Sequence, residues 1–393
     1  MTDRRLAVRP RQGRPRHSGK AYAAALLLAA VFGAVGCSGT GPASDSTRNG
    51  DPVASGGSAP GRPGSGSPSA ASPARPSSAG RTGDPSVPAG SSSPTPTGGP
   101  GLGGAAGSAA ALIPSAGAYL GAYVEPTEYT PQDEIASVQA FQRALGRSIA
   151  LVHVYHPWNS PFPNAADRYF VRAGKVVLLT WSGTPDTRKI IAGDYNAEIR
   201  SRAEAVKRLG RPILMEFRHE MDRPNLQWAV HGPADYIAAW DHIRAIFRSV
   251  GATNVGWVWC PTGYGFATGR AQPFYPGNNE VDWVCADVYS PSPAQSLQEE
   301  AEPFLNWAKH TGKPILIGEF GVGGNQSDWP DWLLAAGELP SIDPQIKGMA
   351  YFDANGTDSN GHPFQYWLGN DKAAMDAFTQ LLTSRLFRPT APN

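Results

Sequence analysis

Between residues 117 and 390 the chain repeats one pattern eight times: a short apolar run rich in β-branched and aromatic residues, then a polar or helical stretch. The runs are Leu120–Val124, Ile149–Tyr155, Val176–Trp181, Ile213–Arg218, Val255–Cys260, Val281–Tyr289, Ile315–Phe320 and Gly348–Asp353. Several are nearly continuous in hydrophobicity, as parallel strands are when helices cover both faces. Helical stripes separate most of them. Thr130-Pro131-Gln132-Asp133 predicts a capped helix start with proline at the first position. Ile135, Val138, Phe141 and Leu145 then share one face, and Gly146 stops the helix. The segments Asn196–Gly210, Pro233–Gly251 and Asp371–Phe387 repeat the design. Strands alternating with helices imply a parallel sheet, and eight repeats within about 270 residues favour closure into a (β/α)8 TIM barrel of the α/β class. The competing open sheet lacks its phosphate-binding turn, because Gly321-Val322-Gly323-Gly324 is not a complete GxGxxG.

Ahead of the barrel the composition changes abruptly. Residues 38–116 are almost entirely Gly, Ser, Pro, Ala and Thr, with no aromatic residue between Phe32 and Tyr119. Such a segment buries too little apolar surface to offset its ordering entropy, so a disordered linker is expected. As a tether it would span roughly 50 Å on average and about 250 Å when stretched. Residues 1–37 read as an export signal. Arg4, Arg5, Arg9, Arg11, Arg14, Arg16 and Lys20 precede an apolar stretch from Ala21 to Val35 that is short for a membrane span. The stretch ends in Ala34-Val35-Gly36-Cys37, which resembles a bacterial lipobox without its usual leucine. Acylation of Cys37 would anchor the protein by lipid at the cell surface; plain cleavage would release it.

Charge and cysteine content narrow the function. The 34 basic and 33 acidic residues leave a formal charge of +1, without the basic excess of a nucleic-acid binder. Three cysteines exclude a disulfide scaffold and a Cys-based zinc cluster. No GxSxG elbow occurs in the barrel region, and no HExxH or P-loop is present. His153 and His156 are three apart on a strand, so they point to opposite faces and make a poor metal pair. No metal or cofactor is expected, and the protein is expected to be a monomer. Cys260 and Cys285 lie on neighbouring strands. If Trp259 and Tyr289 face inward, alternation turns Cys260 outward and Cys285 inward, which argues against a disulfide.

Barrel enzymes carry their chemistry at the C-terminal ends of the strands. Two glutamates stand there, Glu220 after the fourth run and Glu319 after the seventh. One such carboxylate is easily a structural salt-bridge partner. Two, on strands three apart in a ring of eight, face each other across the barrel mouth. That arrangement splits a glycosidic bond between a proton donor and a nucleophile.

The segments Phe217-Arg218-His219-Glu220-Met221-Asp222 and Gly318-Glu319-Phe320-Gly321 resemble the two active-site signatures of glycoside hydrolase family 26. The lead-in Phe274–Val284 with Asp287-Val288-Tyr289, and the helix Tyr236–Ile243, are similar to that family as well. The resemblance covers about 119–385. It implies a retaining endo-β-glycosidase acting on a β-glycan, β-1,4-mannan first, with mixed-linkage β-glucan and β-1,3-xylan as alternatives. It also implies Glu220 as general acid/base, Glu319 as nucleophile, His219 beside the acid/base, and Tyr289 donating a hydrogen bond to Glu319. Trp181, Trp228 and Trp259 are candidate sugar-stacking walls, and His153 a candidate substrate hydrogen-bonder. Many mannan-cleaving members continue after the HEM motif with Asn-Gly and an early Trp. Here Asp222-Arg223-Pro224-Asn225 follows, with tryptophan only at 228, a change that weakens the mannan reading. The contrasting class is a non-catalytic carbohydrate-binding surface lipoprotein.

Overall fold

The computed structural model describes residues 109–357 and 363–388. The signal segment 1–37 with Cys37, and the linker up to residue 108, lie outside the described residues. Eight parallel strands form the ring: β1 Ala118–Val124, β2 Leu151–Pro157, β3 Val176–Ser182, β4 Ile213–Phe217, β5 Val255–Trp259, β6 Trp283–Ser290, β7 Ile315–Val322 and β8 Ile346–Asp353. They follow one another in sequence order, and β8 pairs back onto β1 from Tyr119↔Gly348 to Val124↔Asp353. The sheet is therefore a closed (β/α)8 barrel.

Alternation along each strand sorts the core into two layers. Tyr119, Leu151, Leu178, Leu214, Val258 and Trp283 belong to the layer inside the barrel. Their neighbours Leu120, Val152, Leu179, Met215, Trp257 and Val284 belong to the layer beneath the helices. Because both faces are covered, both sets are apolar, which is why the runs read as continuous.

Helix boundaries follow from caps. Thr130 accepts from the Asp133 N–H at the start of the Pro131–Leu145 helix, and Gly146 ends it with φ +62°. Pro233–Val250 starts on a proline and ends at Gly251 with φ +75°. The last helix, Lys372–Thr383, is shorter than its expected span. Its tail instead brings Phe387 alongside Ala118, where it pairs parallel to β1. The linker was expected to run to residue 116, yet Ala109–Leu112 already form a 3-10 turn. Leu112 is 2% exposed and packs with the inner barrel layer.

Candidate active site

The mouth of the barrel is organised around a bulge in β7. Ala286 of β6 pairs with Ile317, but Asp287 pairs with Glu319, so Gly318 is the extra residue. On the other side Ile317 pairs with Met349, and Phe320 with Tyr351. The bulge lets Ile317 and Phe320 both face the helices while Glu319 turns into the mouth. Bulges next to active sites re-aim one side chain in this way. Glu319 is 6% exposed. One of its oxygens accepts from the Tyr155 hydroxyl of β2, the other from the Tyr289 hydroxyl of β6.

Glu220 sits on the loop leaving β4. Arg218 and Glu220 both have positive φ, +50° and +52°, a backbone state that costs a non-glycine residue of order 1–3 kcal/mol. The surrounding contacts hold it. The Arg218 N–H donates to the Trp181 carbonyl (3.0 Å), and the Glu220 N–H to the Cys260 carbonyl (2.7 Å). Asp222 accepts from the Thr262 N–H (2.9 Å) and hydroxyl (2.6 Å), tying this loop to the one after β5. Gly265 makes room for it, since a Cβ there would stand 1.9 Å from Asp222 Oδ2. The Arg223 guanidinium donates to Glu220 Oε2 at 2.5 Å. His219 packs edge-on against Tyr155, ring centres 5.5 Å apart. Burial lowers its pKa to about 4, against an opposing pull from Glu220. It is therefore neutral at pH 7.

Beneath Glu319 lies a chain of buried polar groups. His153 Nδ1 meets the Gly318 carbonyl at 3.2 Å, and its Nε2 meets Thr180 Oγ1 at 2.7 Å. Thr180 in turn lies 2.6 Å from Glu216 Oε2. His153 and Glu216 come within 4.0 Å of each other, but this is not an ion pair. Burial, then the neighbouring His219, lower the His153 pKa to about 3, so the ring is neutral. The same burial pushes the acids up: Glu216 to about 8, Glu319 to about 7, and Asp287 well above its ordinary value. For Glu319 the charge of Glu220 adds to burial, while the two tyrosine hydroxyls pull the other way.

These acids bind their protons more tightly folded than unfolded. Their contribution to stability is complete below the ordinary carboxylate range and is lost as pH rises toward 7 and 8. The melting temperature should therefore fall by several degrees between pH 5 and pH 8, and Glu216→Gln should flatten that fall. A melting temperature that climbs over this interval, or an unchanged slope in the variant, would contradict the assignment.

Several sequence expectations need correction. Trp181 and Trp259 are fully buried and face the helices, not the cleft. Trp181 stacks on Trp158 at 4.0 Å, and Trp259 packs against Phe266, Tyr275 and Trp307. His153 is only 2% exposed, and both ring nitrogens have protein partners, so it supports β7 from below instead of meeting substrate. Trp228 is 57% exposed on the short helix Gln227–Val230 beyond Glu220, free to meet a ligand. The aromatic lining of the mouth is made by Tyr123, Tyr155, Tyr289 and Phe352. Tyr123 stacks on Phe352 and Tyr155 packs edge-on against Tyr123, each at 4.9 Å.

The cysteine expectation is also overturned: Cys260 and Cys285 form a disulfide. The error lay in Trp259. Since it faces the helices, the next residue faces the barrel interior, and Trp259↔Val284 pairing sets Cys260 beside Cys285. The bridge sits under the bulge. A Cβ on Gly318 would lie 2.6 Å from Cys285 Sγ and 2.8 Å from Asp287 Oδ1. Gly318→Ala should cost about 1–3 kcal/mol of stability, read by denaturant unfolding. Wild-type stability would mean the strand can shift to make room.

Tyr155, Glu216, Asp287, Thr180 and Arg223 join the site beyond the residues expected from sequence. The signal for Glu216 was present, as a lone charge two residues after Leu214 on a strand whose alternate positions face inward.

The model of glycosyl hydrolase family 26 matches residues 175–322, a span from β3 to β7 that contains both glutamates. Over that span the chain is similar to glycosyl hydrolase family 26. It is 30% identical over 239 residues to endoglucanase H of Acetivibrio thermocellus, covering 55% of this chain and 26% of that protein. It is 27% identical over 140 residues to the β-1,3-xylanase TXYA of a Vibrio species, covering 34% of this chain and 28% of that protein. The chain thus spans about a quarter of the length of these curated relatives. Among solved structures, a family-26 β-mannanase from Bacteroides ovatus superposes with a TM-score of 0.52 at 15% identity, covering 72% of this chain and 93% of that one. That likeness establishes the fold.

Proposed function

We propose that the chain is a retaining endo-β-glycosidase that cleaves a plant-type β-glycan, with β-1,4-mannan as the leading substrate. Glu319 is the nucleophile and Glu220 the general acid/base. The observation that carries this reading is Glu319 itself. It is a nearly buried carboxylate at a strand end, gripped on both oxygens by Tyr155 and Tyr289 and within electrostatic reach of Glu220. The two hydroxyls hold the nucleophile in one orientation and favour its charged form. Arg223 orients Glu220 from the solvent side. The exposed Trp228 and the tyrosine-rich mouth supply faces on which sugar rings stack. A second reading, mixed-linkage β-glucan or β-1,3-xylan, draws support from the likeness to an endoglucanase and a β-1,3-xylanase.

The same proposal places the barrel outside the cell, held by a lipid on Cys37 at the far end of the linker. Loss of detergent-phase partitioning in Cys37→Ser would support the anchor; unchanged partitioning would count against it. For activity, the purified chain is offered mannan, glucomannan, mixed-linkage glucan and β-1,3-xylan. Oligosaccharides from mannan, released with rapid loss of viscosity, are expected. Activity on one of the others alone moves the substrate to the second reading. Binding without cleavage of any of them supports a carbohydrate-binding surface protein instead.

A further inference from the structure

Away from the mouth, a cleft of about 270 Å³ is lined by Arg168, Arg172, Arg208 and Arg211, with Val171 and Leu209 supplying apolar wall. Arg168 and Arg172 are four apart on the Ala165–Arg172 helix and so share one face. Arg208 lies in the last turn of the Asn196–Leu209 helix, and Arg211 in the link to β4. Both helices end here, just before β3 and β4 begin. The cleft is therefore at the barrel's lower rim, opposite the catalytic mouth.

The concentration of charge is unusual for this domain. Residues 109–393 contain 23 basic and 29 acidic residues, so these four arginines line one cleft of an acidic body. No carboxylate lines the cleft. Arg208 meets Glu204 at 3.8 Å, with both side chains at least half exposed, and such a pair is worth little. Arg168 donates to the Pro163 carbonyl, a neutral partner. Among the described residues, the guanidiniums of Arg172 and Arg211 have no partner. The two helix C-termini offset part of the positive charge, but an anion seated between the four would offset far more. All four are arginine, the side chain whose planar fork matches phosphate oxygens bidentately.

We propose that this cleft binds a phosphodiester polyanion of the cell envelope, of the poly(glycerol phosphate) type. The choice of an envelope polymer rests on the export reading; the anion site itself does not. Three of the arginines are exposed at the surface, so a chain can run through the cleft with one phosphate held inside. Gripping the polymer at the lower rim would leave the mouth facing away from the wall, toward soluble glycan.

The test uses the full chain and synthetic poly(glycerol phosphate), with polygalacturonate and inorganic phosphate as competitors. Binding should weaken as salt rises. Arg172→Glu/Arg211→Glu should lower affinity by about tenfold or more. Lys309→Glu/Lys372→Glu, the same charge change on exposed residues of other helices, should leave it nearly unchanged. Hydrolysis of soluble substrate, or carbohydrate binding if hydrolysis is absent, should be unaltered in both variants. Arg172→Gln and Arg211→Gln repeat the test with smaller perturbations, and thermal melts confirm folding. No binding by the wild type, equal loss in both double variants, or equal affinity for polygalacturonate would overturn the proposal. So would binding of inorganic phosphate alone.

Discussion

Glu319→Ala is expected to lower turnover by at least about four orders of magnitude, since it removes the carboxylate proposed to attack the anomeric carbon. Asp287 and Glu216 do not substitute for it. Both are buried deeper in the barrel, held in their protonated forms, and packed against the disulfide and Thr180. The cavity left by the shortened side chain should admit a small anion. Azide should therefore restore activity on an activated aryl glycoside and give the glycosyl azide of inverted configuration. The rescue separates a lost nucleophile from a collapsed site, because azide cannot repair misfolding. Wild-type rates in Glu319→Ala would remove the nucleophile from its role.

Glu220→Ala should divide substrates by leaving group. A glycan alcohol needs a proton as it departs, and loss of a positioned acid costs about 10²–10⁴ in rate. An activated phenol leaves without one, so glycosylation on such a substrate should be nearly spared. The slow step then becomes breakdown of the covalent intermediate, visible as a burst of phenol. Arg223 shares in this effect by position. Arg223→Met should produce a weaker version of the same split, since the Glu220 carboxylate loses the guanidinium that orients it. Equal losses on both substrate types would count against Glu220 as the proton donor.

The barrel was legible because its physics is redundant. Each strand is covered on both faces, so apolar runs mark it whichever way it turns, and Gly146 and Gly251 stop helices where the pattern ends. The same redundancy hid the orientation of side chains. At Trp259 a tryptophan suits either layer, and the wrong choice reversed Cys260 and concealed the disulfide. Trp181 failed for the same reason: it continues the outward series Val177, Leu179, Trp181. The strand-end glutamates were legible because charge after an apolar run is costly without a purpose. The bulge that aims Glu319 was not, because one extra residue in β7 emerges only from pairing with β6 and β8. Glu216, Thr180 and His153 form a network across three strands, and such contacts depend on register instead of local pattern.

The central claim is that Glu319 attacks the sugar and carries it covalently. A fluorinated glycoside that accumulates the intermediate tests this directly, with mass spectrometry of the digested protein locating the adduct. The account predicts one sugar per chain, on the peptide containing Gly318-Glu319-Phe320. A turned-over substrate with no adduct, or a label carried by another carboxylate, would contradict it.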